Sequence, residues 1–187
     1  MLRVSPLCDK TQSVFEKLFT EYYTELDCGE NIPHLLEEYI LPDIKSGLVR
    51  AELLTDNDTP AGFILYQTDD VGNEWNLREG WGDVREIFVI PSLRRNGYGR
   101  FLLYTAEMKL REGGTHKAYC LPVDGTESFF TACGYQKSSL YNEELDCFVY
   151  EKPTSPTNAN KFRINADLTA KTVGSAFILC LIFNKTR

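Results

Sequence analysis

Glu86-Ile87-Phe88-Val89-Ile90-Pro91-Ser92-Leu93-Arg94-Arg95-Asn96-Gly97-Tyr98-Gly99-Arg100 reads as a β-prone segment, a basic turn with two glycines, and the start of a helix whose apolar positions are Phe101, Leu102, Leu103, Ala106 and Leu110. The first N–H groups of such a helix have no intrahelical partners, and the aligned peptide dipoles leave partial positive charge there. Gly97 and Gly99 lack a Cβ, so a phosphate can approach the backbone, while Arg94, Arg95 and Arg100 can add charged hydrogen bonds. The simplest ligand is a phosphate or pyrophosphate. A dinucleotide fingerprint would need a glycine where Leu102 stands, and a P-loop would need Gly-Lys-Ser/Thr. Neither pattern is present. A plain surface turn capped by a helix is the competing reading, and three arginines weigh against it.

The spacing Arg94-x-x-Gly97-x-Gly99 resembles the acyl-coenzyme A signature of the GNAT superfamily, the coenzyme A-dependent N-acetyltransferases, written Arg or Gln, x, x, Gly, x, Gly or Ala. Ile87 to Pro91 resembles that family's strand into the loop, and Phe129-Phe130-Thr131-Ala132-Cys133-Gly134-Tyr135 resembles its Phe-Tyr-x-x-x-Gly-Phe. The matches run from Val84 to Lys152. The resemblance implies an α/β (α+β) fold with a mixed, mostly antiparallel sheet flanked by helices. It also implies acetyl-coenzyme A as acyl-donor cosubstrate and a primary amine of a small molecule or protein as acceptor. Cofactor contacts would come from the backbone of Phe88, Val89 and Ile90, from the loop residues Arg94, Arg95, Asn96, Gly97, Tyr98, Gly99 and Arg100, and from Phe130.

Acetyl transfer of that kind needs a neutral amine, a stabilised carbonyl oxygen and a proton for the departing thiolate. Glu86 is the first candidate for the base, since strand alternation puts it on one face with Val84, Phe88 and Ile90. An ion pair with Arg85 or Lys117 is the plain alternative. Asp83 is the fallback. The family's usual acid is a tyrosine at the position of Phe130, whose ring has no proton to give. Tyr135 or water could serve instead, although Tyr135 also fits as the aromatic that packs after the glycine. The missing hydroxyl supports a second reading, an acyl-coenzyme A-binding regulatory module with little or no catalysis.

Elsewhere, Leu2 to Leu7 suits a first strand. Val14, Leu18, Tyr22 and Phe15, Phe19, Tyr23, Leu26 recur at helical spacing, forming one buried face on which Tyr22 and Tyr23 could also line an acceptor pocket. Asn31 can cap a second helix with Pro33 in its first turn and Leu35, Leu36, Tyr39 and Ile40 inward, closed by Pro42 and Gly47. Val49, Ala51 and Leu53, the turn Asp56 to Pro60, and Ala61 to Gln67 make a hairpin. Asp69 to Gly82 is a polar, glycine-containing surface connection whose Trp75 and Trp81 either reach the edge of a pocket or serve as packing anchors only. Lys117 to Leu121 is a strand, Thr126 or Asp124 caps a short helix through Cys133, and Tyr135 to Glu151 closes as a hairpin.

At 187 residues the chain suits one domain, expected over 1–152, with 153–160 a Pro/Ser/Thr/Asn linker and 161–187 a tail. The apolar run Ala176 to Phe183 is too short for a bilayer helix, which needs ~20 residues, so packing on the sheet or on a homodimer partner is expected. No secretory pattern opens the sequence, and a cytoplasmic protein with no membrane contact is expected. Residues from Pro153 onward hold five basic and one acidic side chain, leaving 15 basic and 26 acidic before them. An acidic body disfavours nucleic acid and suits a cationic amine. Six cysteines without a Cys-x-x-Cys pair and only two histidines argue against a metal site, and all six cysteines read as small buried hydrophobes. His116 and Cys120 would lie about 13 Å apart along a strand, at ~3.3 Å per residue, too far for a catalytic dyad.

Overall fold

The computed structural model describes residues 1–27, 29, 31–71 and 77–154. The 161–187 tail, all but the first two residues of the 153–160 linker, Trp75, Cys28 and Cys180 lie outside the described residues. The element order is β1 (Leu2–Pro6), α1 (Gln12–Leu26), α2 (Ile32–Leu35), a π-helical turn (Leu36–Ile40), α3 (Leu41–Ser46), β2 (Arg50–Asp56), β3 (Thr59–Thr68), β4 (Gly82–Val89), a 3₁₀ turn (Pro91–Leu93), α4 (Tyr98–Glu112), β5 (Lys117–Cys120), α5 (Glu127–Ala132), β6 (Gln136–Asn142) and β7 (Cys147–Pro153). The seven strands form one sheet in the order β1-β2-β3-β4-β5-β7-β6, antiparallel throughout except for β4 with β5. This is the mixed, mostly antiparallel sheet expected from the sequence.

Helices cover both faces because the strands are apolar on both. On one face Phe15, Phe19, Tyr22 and Tyr23 of α1 pack with Leu35 and Ile40 against Phe63, Leu65 and Phe88. On the other, Leu102, Leu103, Ala106 and Leu110 of α4 cover Ile64, Tyr66, Val84, Ile87 and Val89. Each is a helical stripe laid on alternate strand positions. The β2–β3 turn is tightened by Asn57 and Asp58, both at positive φ, as a two-residue hairpin requires. Asn31 caps α2 through His34 N–H, as expected. Pro42 does not end that helical region. It sits in the first turn of α3, directly after the π-helical turn, and Gly47 at φ 82 ends the helix. Tyr39 is only half-buried. Cys8 departs from the buried cysteines expected: it is exposed, and a hydrogen bond from Thr11 lowers its thiol pKa.

Two departures from regular pairing shape the centre of the sheet. β4 pairs β5 only at Gly82 with Ala118 and Asp83 with Tyr119, and then the strands part. Leu65 faces Glu86 and Tyr66 faces Val84, so Arg85 is an extra residue, a β-bulge. The bulge corrects the alternation expected for Glu86. Val84 lies on the α4 face with Ile87 and Val89, whereas Glu86 shares the α1 face with Phe88 and Ile90.

Candidate active site

The loop between β4 and α4 is built as its sequence suggested. Arg95 at φ 64 and Gly97 at φ 82 turn the chain into α4, with Gly97 at the helix N-cap. Among the described residues, no backbone N–H from Arg95 to Arg100 donates to a backbone carbonyl, so six consecutive donors are available at the start of a fifteen-residue helix. A Cβ at Gly97 would meet no atom within 4 Å, so its approach side is open. Loop and helix together form an anion cradle of successive N–H groups.

The three arginines do not act alike. Arg94 turns away from the cradle: its Nε donates to Val89 O at 2.8 Å, and its guanidinium forms a two-pronged ion pair with Glu25 near the end of α1. Arg100 reaches Ala132 O at 3.3 Å. Arg95 is exposed and makes no hydrogen bond with a described residue, which leaves its charge free for a ligand. Asn96 donates to Leu93 O and Arg94 O, bracing the turn. The Tyr98 hydroxyl donates to Asp56 Oδ2 at 2.7 Å, tying the helix start to the end of β2. Of the cradle side chains, only that of Arg95 is without an anchor among the described residues. Arg94→Gln and Glu25→Gln each loosen the same exposed brace of the loop, so they should weaken coenzyme A binding to a similar extent, each by about 0.2 to 1 kcal/mol, the usual worth of an exposed ion pair. Calorimetry with both variants checks this. A large effect of Arg94→Gln beside none from Glu25→Gln would mean that Arg94 meets the phosphate itself.

Where β4 and β5 part, Ile90 N–H donates to Ala61 O of β3 at 3.0 Å. Alternation then points Phe88 N–H toward β3 as well and Val89 N–H toward the gap. Of the three backbone positions singled out, Val89 is the one that faces the opening. Its carbonyl is already held by Arg94.

Glu86 is fully buried on the α1 face. Its Oε1 accepts from the Tyr23 hydroxyl at 2.9 Å, while Oε2 has no hydrogen-bond partner among the described residues. Burial raises its pKa to about 7, against the opposing pull of the Arg85 charge and the Tyr23 hydrogen bond. Lys117, suggested as a partner, instead lies over the Trp81 ring at 4.5 Å. Arg85 is engaged with Gln67 Oε1 at 3.0 Å and with Asp43 at 3.7 Å.

Asp83 is also buried, and its pKa is raised to about 8, first by desolvation and next by the Asp69 carboxylate. Asp69 accepts from the N–H groups of Leu77 and Arg78 at 3.0 Å and from the Tyr119 hydroxyl at 2.6 Å, so one buried carboxylate closes the loop after β3. Sequence reading missed Asp69, Gln67, Glu25 and the engagement of Arg85. Their only local signal was polarity, which usually means a solvated face.

Phe130 and Tyr135 lie on the other side of the sheet. Phe130 is fully buried, edge-on to Phe129 and Tyr135 at ring distances of 4.9 and 5.7 Å. The Tyr135 hydroxyl sits beside the Glu107 carboxylate without hydrogen-bond geometry, and burial drives its pKa well up. Both rings belong to the core under α4, whereas Glu86 faces α1. Among the described residues no group of three or more His, Cys, Asp or Glu side chains is arranged to hold a metal ion, and no helix is long and apolar enough to cross a membrane.

The site thus consists of a central strand pair that parts after two residue pairs and, beyond it, a run of unpaired backbone N–H groups at the start of α4. The model of the acetyltransferase (GNAT) family matches residues 12–135, and the chain belongs to that family. Solved structures agree on the fold. An acetyltransferase of the GNAT family from Staphylococcus aureus is 14% identical with a TM-score of 0.65, covering 83% of this chain and 100% of its own. PaiA N-acetyltransferase from Thermoplasma acidophilum, solved with coenzyme A, is 14% identical with a TM-score of 0.62, covering 82% and 99%. An aminoglycoside 6′-N-acetyltransferase, also solved with coenzyme A, is 15% identical with a TM-score of 0.61, covering 82% and 98%. No curated protein matches the chain in sequence.

Proposed function

We propose that the protein transfers an acetyl group from acetyl-coenzyme A to a primary amine of a small molecule or protein, with Glu86 as the base. The observation that carries this reading is the Glu86 carboxylate, fully buried beside the parted strands, with one oxygen fixed by Tyr23 and the other without a partner among the described residues. A pKa of about 7 lets it take a proton from an ammonium, directly or through one water, near neutral pH. Coenzyme A fits the cradle: six N–H donors and the exposed Arg95 suit a pyrophosphate, and Gly97 leaves its approach open. The cosubstrate supplies the acetyl group as a thioester. Val89 N–H, turned toward the gap, is the donor best placed for its carbonyl oxygen.

The second reading, a coenzyme A-binding module without turnover, draws on Phe130, which cannot protonate a thiolate, and on the burial of the Tyr135 hydroxyl. One experiment separates the two. Acetyl-coenzyme A is incubated with the protein and a panel of polyamines, aminoglycosides, amino acids and lysine peptides while free thiol is followed. Acceptor-dependent thiol release supports the enzyme, and saturable binding of coenzyme A without release supports the module. No saturable binding in calorimetry overturns both.

A further inference from the structure

The bulge in β4 decides where a buried cation stands. With Glu86 on the α1 face, regular alternation would send residue 85 into the core under α4. Because Arg85 is the extra residue between the pairs Leu65 with Glu86 and Tyr66 with Val84, its side chain comes to the α1 side instead. Its contacts fix that side. Nη1 of Arg85 meets Gln67 Oε1 at 3.0 Å and Asp43 of α3 at 3.7 Å, and Gln67 follows Phe63 and Leu65 by alternation onto the face that α1 covers. Asp83 pairs opposite Gln67 and shares that face. The bulge therefore gathers Asp83, Arg85 and Glu86 on one side of the sheet, where an even strand would have divided them.

The Arg85 side chain is 2% exposed, and a charge so buried is costly unless it is paired and hydrogen-bonded. Both supports are fixed from outside β4. Gln67 is itself held by donation of its Nε2 to Asp69 Oδ1 at 3.0 Å, and Asp43 is carried on α3. Arg85 is the positive charge that acts on Asp43, Asp83 and Glu86 alike, and on each it opposes the burial that favours the neutral acid. The other polar groups on this side are Tyr23 of α1, which donates to Glu86, and Asp69 with the Tyr119 hydroxyl beside Asp83. Farther along β4, Arg94 lies over the Phe88 ring at 5.6 Å with its charge matched by Glu25. A guanidinium stays charged at any working pH, so the field of Arg85 does not change while the acids around it titrate.

We propose that Arg85 is a positioning residue for acetyl transfer, its guanidinium fixed beside Glu86 by the bulge, Gln67 and Asp43 so that the base meets the acceptor as a carboxylate. The proton passes from the ammonium to Glu86, and Arg85 neither gives nor takes one. This role rests on Glu86 as the base. NMR of carboxyl-labelled glutamate in the full chain tests it without an acceptor, the Glu86 signal being the one lost in Glu86→Gln. Arg85→Met should raise the Glu86 midpoint by about one pH unit or more, and Arg85→Lys, which keeps the charge, should move it by less than half as much. Turnover should follow the same displacement. Arg85→Met should be slow near neutrality and recover to within a few-fold of the parent at high pH, whereas a merely structural loss would depress turnover at every pH. If Arg85→Met does not fold, Asp43→Asn decides: without the carboxylate that offsets the guanidinium, the Glu86 midpoint should fall. An unmoved midpoint in Arg85→Met or Asp43→Asn, an equal shift in Arg85→Lys, or a uniform loss of turnover would overturn the proposal. A shifted carboxyl midpoint that turnover ignores would overturn Glu86 as the base, and the role of Arg85 with it.

Discussion

Glu86→Gln should lower turnover by about 10²- to 10⁴-fold, the usual contribution of a positioned base, while coenzyme A affinity stays near that of the parent. The amide keeps the size of the side chain and can still accept from Tyr23, so the fold should persist. In the parent, turnover should rise with pH through about 7, because only the ionised carboxylate can take a proton. Tyr23→Phe removes a hydrogen bond that lowers this pKa, so the midpoint should move to higher pH. A turnover within twofold of the parent in Glu86→Gln would remove Glu86 as the base and leave Asp83 to be tested next.

The same groups set a pH dependence of stability with the opposite sense. Glu86 is raised from an ordinary 4.5 to about 7 and Asp83 from 3.8 to about 8, so each binds its proton more tightly folded than unfolded. The resulting stability is fully present below about pH 4 and is lost as pH rises through 7 to 8. Melting temperatures recorded between pH 5 and 9 should fall across that window, and less steeply in Glu86→Gln. Greater activity and lower stability should thus coincide above neutrality.

Gly62→Ala should be the most destabilising single-methyl change in the sheet. A Cβ at Gly62 would stand 2.1 Å from Phe88 O and 3.1 Å from Val89 Cα, backbone atoms that cannot yield without opening the β3–β4 ladder. The loss should be at the upper end of the range of about 1 to 3 kcal/mol for overpacking, or beyond it, read as a lower urea midpoint at unchanged slope. Gly82→Ala is the control. Its added carbon would meet the Leu110 side chain at 2.5 Å, and a leucine can change rotamer. Equal losses at the two glycines would show that β4 yields at Phe88 as readily as a side chain does.

The element order was legible because each part carries a local signal. The four-residue spacing of Phe15, Phe19 and Tyr23 makes a helical stripe, the polar run Asp56 to Pro60 reads as a turn, and Gly97 permits the positive φ at which α4 starts. The cradle was readable for the same reason, since unpaired N–H groups follow from a helix start whatever surrounds it. The sequence alone also supplied the family resemblance, carried by Arg94, Gly97, Gly99 and Gly134.

Only the tertiary structure decided what the charged side chains do. Arg94 was read as a phosphate ligand from its place beside two glycines, but a carboxylate 69 residues away in the chain, Glu25, holds it. No periodicity reports a contact of that span. The bulge at Arg85 arises from pairing with β3, so strict alternation along β4 assigned Val84 and Glu86 to one face and was wrong by one residue. Burial of Phe130, Tyr135 and Glu52 likewise depends on which helix lands on which face of the sheet. A chain writes its own local conformations through backbone sterics and side-chain spacing. The protonation and pairing of its acids and bases are set by neighbours that meet only after the sheet has formed.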